Sequence, residues 1–217
     1  QEVTAPTFYQ LSGERMEAEL EYPGQIVKLS AYNKPAQLGT SIKKVGNVEV
    51  KAGDVMRYDF TEIKNLSNVP LSDFYWSDRI PTDAVRAQAL ATGTYNQRVY
   101  YRVLYKTNYA DYRVLASNLL STNNYTFNLT AAALGLMNGE VVTDIKLEFG
   151  TVAAGFASVT KPMLSVQTLS TLPKGYQITN RCEVGGRYQG AWEISQALWI
   201  TKVVRFDPPK PLPKTGH

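Results

Sequence analysis

Residues 141–149 read Val-Val-Thr-Asp-Ile-Lys-Leu-Glu-Phe, and a period of two divides them. One face carries Val141, Thr143, Ile145, Leu147 and Phe149; the other carries Val142, Asp144, Lys146 and Glu148. Successive side chains on an extended strand point to opposite faces, so this alternation specifies a half-buried strand and leaves a helix without a coherent apolar face. The same rule predicts strands over residues 98–106, where Val99, Tyr101, Val103 and Tyr105 share a face, and over 54–61, where Met56, Tyr58 and Phe60 do. Further strands are expected at 26–32, 71–77, 163–169, 176–184 and 197–204. Pro23-Gly24, Gly53-Asp54, Asn138-Gly139, Pro173-Lys174-Gly175 and Gly185-Gly186 supply turns between them. Helical pieces are expected only at 13–20, at 82–90 after Pro81, and at 130–137. Many short strands with regular turn signals predict an all-β fold, an Ig-like antiparallel β-sandwich.

Composition supports a buried core and narrows the chemistry. Of 217 residues, 44% are hydrophobic and 19% charged, unlike a disordered chain. The 23 Lys and Arg lie singly among 19 Asp and Glu, giving a net charge of +4 with no stripe to track phosphates, so nucleic acid is not expected as a partner. One cysteine, Cys182, excludes an internal disulfide and a thiolate metal site, and no metal or cofactor is expected. The single histidine, His217, is the last residue, which removes histidine catalysis from the fold. With no catalytic constellation, the chain is read as a non-enzyme.

Two breaks in patterning divide the chain. Residues 34–39 interrupt the strands, and Asp207-Pro208-Pro209-Lys210-Pro211-Leu212-Pro213 cannot ladder, because each Pro lacks an N–H and fixes φ. Three segments are expected: 1–38, a sandwich over 39–206, and a Pro-rich spacer over 207–217.

Leu212, Pro213, Lys214, Thr215 and Gly216 resemble the LPxTG sorting signal of Gram-positive cell-wall-anchored proteins. That resemblance implies an extracellular, wall-anchored protein whose partners are a sortase and the peptidoglycan precursor: a thiolate attacks the Thr215 carbonyl and a wall amine resolves the acyl-enzyme. Asp54 through Tyr58, Asn65, Pro70-Leu71, Asp78 to Pro81, and Ile178-Thr179-Asn180 resemble a surface repeat of unknown function found in bacterial envelope proteins, Ig-like and structural. Residues 1–36 resemble the end of a collagen-adhesin B-type, prealbumin-like pilin domain, through Glu2-Val3-Thr4-Ala5-Pro6 and Asn33-Lys34-Pro35. In that family an acid and an Asn serve an isopeptide crosslink; Glu2 and Asn33 map onto them, while the Lys falls upstream of Gln1.

Inside the sandwich, Lys43 or Lys44 on an early strand and Asn180 on a late one are candidates for an isopeptide of their own, which requires an apolar site and an adjacent acid that the sequence does not identify. Asp73, Asp78 and Asp83 fall around one expected loop and read as turn and capping residues rather than a calcium site. Tyr100, Tyr105, Tyr109, Tyr112 and Tyr125 crowd the long middle section and form a candidate patch for a host glycan or matrix protein. The reading is a stalk or spacer module of an adhesin-like surface protein, with a glycan- or host-protein-binding module as the alternative.

Overall fold

Alternating burial turns the sequence pattern into strands, and where the alternation slips the strands bulge. The computed structural model describes residues 6–10, 16–30 and 32–205. Among these residues the elements run β1 (Thr40–Gly46), β2 (Glu49–Lys51), β3 (Val55–Asn65), β4 (Leu71–Arg79), β5 (Val85–Ala91), β6 (Thr94–Tyr95), β7 (Tyr100–Thr107), β8 (Arg113–Leu120), β9 (Thr126–Asn128), α1 (Ala131–Leu134), β10 (Val142–Val152), β11 (Ser158–Thr160), β12 (Met163–Thr168), β13 (Gln177–Tyr188) and β14 (Ala191–Val204). They form a β-sandwich. One sheet has the order β1-β3-β12-β5-β9, the other β2-β14-β13-β4-β10-β7-β8, and β6 pairs with β11. Pairing is antiparallel except for β2, which runs parallel to the end of β14.

The facing sides of the two sheets make the core. Tyr58 and Phe60 of β3 meet Trp76 of β4, with the Phe60 and Trp76 ring centroids 4.6 Å apart. Trp76 donates its indole N–H to the Tyr95 hydroxyl at 2.8 Å, satisfying a polar atom that burial would otherwise orphan. Phe74, Tyr95, Phe149 and Phe156 pack edge-on and stacked at centroid distances of 4.7–6.2 Å, closing one end of the sandwich.

Several expected elements differ. Residues 82–90 are not a helix: Ala84 and Val85 donate to the Pro81 carbonyl in a single turn, and the chain then extends as β5. Ala87 pairs with Val166 and Ala89 with Ser165, leaving Gln88 as an extra residue. The bulge spaces the buried Val85, Ala87 and Leu90 unevenly, and uneven spacing counterfeits a helical face. In the 26–32 stretch, residues 26–30 and 32 form no strand either, and residue 31 lies outside the described residues. Ile26 is 93% exposed, and nothing among the described residues ladders with it. In the 13–20 stretch, residues 16–20 are irregular and the rest lies outside the described residues. The third expected helix survives as one turn, α1, whose Thr130 hydroxyl caps the Ala133 N–H and whose Gly135 closes it in the left-handed region.

The segment before β1 lies against the β13–β14 turn. Tyr9 bridges Pro35, the Phe8 N–H donates to the Gln189 side-chain carbonyl at 2.6 Å, and the Tyr188 hydroxyl donates to the Tyr9 carbonyl at 3.0 Å.

Candidate functional site

Three strands each place a charged or amide side chain where their alternation calls for an apolar one. On β1 the inward residues are Thr40, Ile42 and Lys44; on β4 they include Phe74, Trp76 and Asp78; on β13 they are Ile178, Asn180, Cys182 and Val184. Register brings these residues together. Lys44 pairs beside Phe60 across β1 and β3, Cys182 pairs with Asp78 across β13 and β4, and β1 packs on β13. Lys43, one residue away, faces out and pairs with Glu62 at 2.8 Å. The strand period therefore selects Lys44 of the two candidates.

Lys44 and Asp78 form a fully buried hydrogen-bonded ion pair, their side chains 0% and 1% exposed. The Lys44 Nζ lies 4.5 Å from the Tyr58 ring centre and 5.0 Å from that of Phe60. Asn180 is wholly buried; its amide sits beside the Asp78 carboxyl and the Tyr58 hydroxyl. Yet Asn180 Nδ2 and Oδ1 and Asp78 Oδ1 have no hydrogen bond of acceptable geometry. Leaving one buried polar atom unpaired costs about 1–3 kcal/mol, so an amide with both ends idle needs a reason.

Electrostatics supply one. Burial raises the Asp78 proton affinity above that of an ordinary carboxyl, and the Lys44 charge only partly offsets it. A buried ion pair is expensive to keep charged. Lys44, Asp78 and Asn180 bring an amine, a carboxyl and an amide together in one apolar site. The calcium-loop trio is thereby separated: Asp78 is core, Asp73 pairs with Arg187 at 2.5 Å, and Asp83 accepts from the Tyr176 hydroxyl at 2.6 Å. Among the described residues no acidic, His or Cys cluster can hold a metal ion.

Cys182 lies in the same pocket as a buried neighbour. Burial pushes its thiol up to about 12, and Sγ–H points to the Ala197 carbonyl at 3.6 Å.

The five tyrosines do not converge. Tyr105 is buried, Tyr125 is half-buried with its hydroxyl accepting from the Leu120 N–H, and Tyr109 and Tyr112 stand exposed near the turn at 108–112. Tyr100 lines one open groove, with Tyr75 and Trp192 from outside the middle section, and Tyr112 lines a separate one. Asn33 is half-buried near the Tyr9–Pro35 bridge. Glu2 and Leu212 to Gly216 lie outside the described residues.

No family model and no curated protein matches the chain. Among solved structures it is similar to the C-terminal domain of the Streptococcus agalactiae AgI/II polypeptide BspA, at 12% identity over 76% of this chain and 50% of that one, with a TM-score of 0.35. It is also similar to ACE19, the collagen-binding subdomain of the Enterococcus faecalis surface protein ACE, at 11% identity, covering 74% and 95%, TM-score 0.35. A collagen-binding domain from a Staphylococcus aureus adhesin matches at 13% identity, covering 71% and 95%, TM-score 0.30. The chain spans about half the length of the BspA chains it matches. At these scores the likeness carries no functional reading, and the chemistry below rests on the residues.

Proposed function

We propose that this chain is a stalk or spacer module of a sortase-anchored cell-wall surface protein, and that it locks itself with an amide bond between Lys44 and Asn180. The observation that carries the reading is the buried trio of Lys44, Asp78 and Asn180, whose amide meets Asp78 without a hydrogen bond of good geometry. The step balances without any co-reactant. Lys44 passes one proton to Asp78 within their ion pair, and Nζ attacks Asn180 Cγ while the Asp78 O–H donates to Asn180 Oδ1. The tetrahedral carbon then expels Nδ2, which leaves as ammonia carrying the proton that Lys44 gives up through Asp78. One C–N bond forms, one breaks, and nothing is oxidised. The product removes the idle Asn180 Nδ2, and the remaining carbonyl oxygen accepts from protonated Asp78.

A bond from β1 in one sheet to β13 in the other suits a part whose task is to stay folded under load. The LPKTG sequence at 212–216 supplies the anchoring half of the reading, with Thr215 as the residue joined to the wall. On this reading the protein turns over no external substrate; its chemistry is performed once, on itself.

Intact mass spectrometry of the folded protein tests the crosslink. A mass lower by one ammonia, with a fragment joining the β1 and β13 peptides, is the expected result. An unmodified mass overturns it. For the anchoring, the C-terminal peptide of protein released from cells by muramidase is expected to end at Thr215 with wall fragments attached, and a peptide running through Gly216 overturns that half.

A further inference from the structure

The outer face of the seven-stranded sheet carries a groove of about 610 Å³, in the size range of small-molecule sites, which the crosslink does not use. Irregular backbone makes it. The β10–β4 ladder slips at Gly150, the β7–β8 ladder slips between Tyr101 and Val103, and the β13–β4 ladder slips between Gly185 and Arg187. Asp73 and Asn118 both line the groove and both take left-handed backbone in mid-strand, at φ 50° and 55°. No turn requires it there, and non-glycine residues in that region cost energy that surrounding structure must absorb. Where a regular sheet would be flat, this one is hollow.

The walls are aromatic. Tyr100 is 65% exposed and Trp192 51% exposed, while Tyr75 meets Trp192 edge to face at 6.2 Å and holds that ring upright. Between the rings run charges already spent on one another. Arg102 and Lys146 hold the Glu148 carboxylate at 2.7 and 2.8 Å, and Arg187 holds Asp73 at 2.5 Å. Three cations stand against two carboxylates here, with Glu183 adjacent through its 2.7 Å bond from the Tyr75 hydroxyl. The balance leaves no net charge to attract an ion. It leaves paired donors and acceptors beside the rings, with Arg187 5.8 Å from the Trp192 ring centre and Lys146 4.5 Å from that of Tyr75.

We infer that this groove binds a neutral oligosaccharide, its pyranose faces against Trp192 and Tyr100 and its hydroxyls on the Arg102–Glu148 and Asp73–Arg187 pairs. Sugars offer apolar C–H faces to rings and hydroxyls to paired charges, and a neutral sugar disturbs no ion pair. An acidic glycan or a phosphate would have to displace Glu148 or Asp73 from its cation.

The inference goes beyond the crosslink and does not rest on it. The test titrates the whole protein, by calorimetry and tryptophan fluorescence, with N-acetyllactosamine oligomers, cellohexaose and maltohexaose. Heparin fragments, a sialylated oligosaccharide and a collagen-type triple-helical peptide serve as comparators. At least one neutral oligosaccharide is expected to saturate below about 1 mM, with little dependence on salt. Trp192→Ala and Tyr100→Ala are each expected to weaken it tenfold or more while leaving the ammonia loss and the melting midpoint unchanged. The inference is overturned if no neutral oligosaccharide binds, if only the charged glycans or the peptide bind, or if binding survives both substitutions. The variants' unchanged ammonia loss keeps a failure here separate from a failure of the crosslink.

Discussion

Asn180 is the residue on which the chemistry turns. Its buried amide lies against the Asp78 carboxyl and the Tyr58 hydroxyl without a hydrogen bond of good geometry, a defect in a finished protein and a reactant in an unfinished one. Asn180→Ala and Asp78→Ala are therefore both expected to leave the chain at its unmodified mass, the first by removing the electrophile and the second by removing the proton shuttle; an ammonia loss that persists in Asp78→Ala would assign the acid elsewhere. Cys182, two residues along, gives a pH prediction. Burial holds its thiol at about 12 in the fold, against an ordinary 9.0. The folded state thus keeps its proton longer than the unfolded chain does. The stability this group contributes is whole below pH 9, and it is lost as pH rises through the folded value near 12. Urea midpoints measured across that window are expected to fall less steeply in Cys182→Ala than in the parent. A thiol reagent at pH 8 is expected to label Cys182 only as fast as the protein opens.

At the scale of elements, the period of two decides which lysine reacts. Lys43 remains in a Lys44→Ala variant but faces solvent beside Glu62, and it is expected not to rescue the bond, which intact mass reads directly. Bulges set the limits of what alternation reveals. Met56, Tyr58 and Phe60 of β3 are buried on even numbers, then Ile63 and Asn65 on odd ones, because Lys43 pairs with Glu62 and Lys44 with Phe60, leaving Thr61 over. The same device on β5 disguises a strand as a helix. Turns impose a different constraint. Gly93 has φ +66°, and a Cβ there would sit 2.3 Å from the Thr160 carbonyl oxygen. Gly93→Ala is expected to cost about 3 kcal/mol, from left-handed backbone together with overpacking. Thermal melts should show the midpoint down by about 6–12 °C.

Across the whole molecule, the Lys44–Asn180 bond closes a loop of roughly 135 residues and joins the two sheets. Treated like any covalent crosslink that restricts the unfolded chain, it stabilises by about 5 kcal/mol. Melting of the parent is expected about 10–20 °C above Lys44→Ala. Single-molecule pulling from the two ends gives a sharper reading. The parent should fall short of the extension of Lys44→Ala by about 450 Å, the reach of the locked loop at about 3.3 Å per residue. Equal contour lengths would mean that no bond forms.

What the sequence by itself determined was local. Alternation specified strands over most of the sandwich, prolines and glycines specified its interruptions, and the shared phase of Ile178, Asn180 and Cys182 was written in one strand. Alternation is a property of one strand, and nothing in one strand states which other strand lies opposite. Only the tertiary structure decided that Asp78 is the neighbour of Lys44 and Asn180 rather than a loop residue, because register between distant strands is set by packing of the whole sandwich. The groove was hidden for the same reason. Tyr75, Tyr100 and Trp192 come from β4, β7 and β14, and three slipped ladders, invisible to a count of periods, hollow the sheet between them.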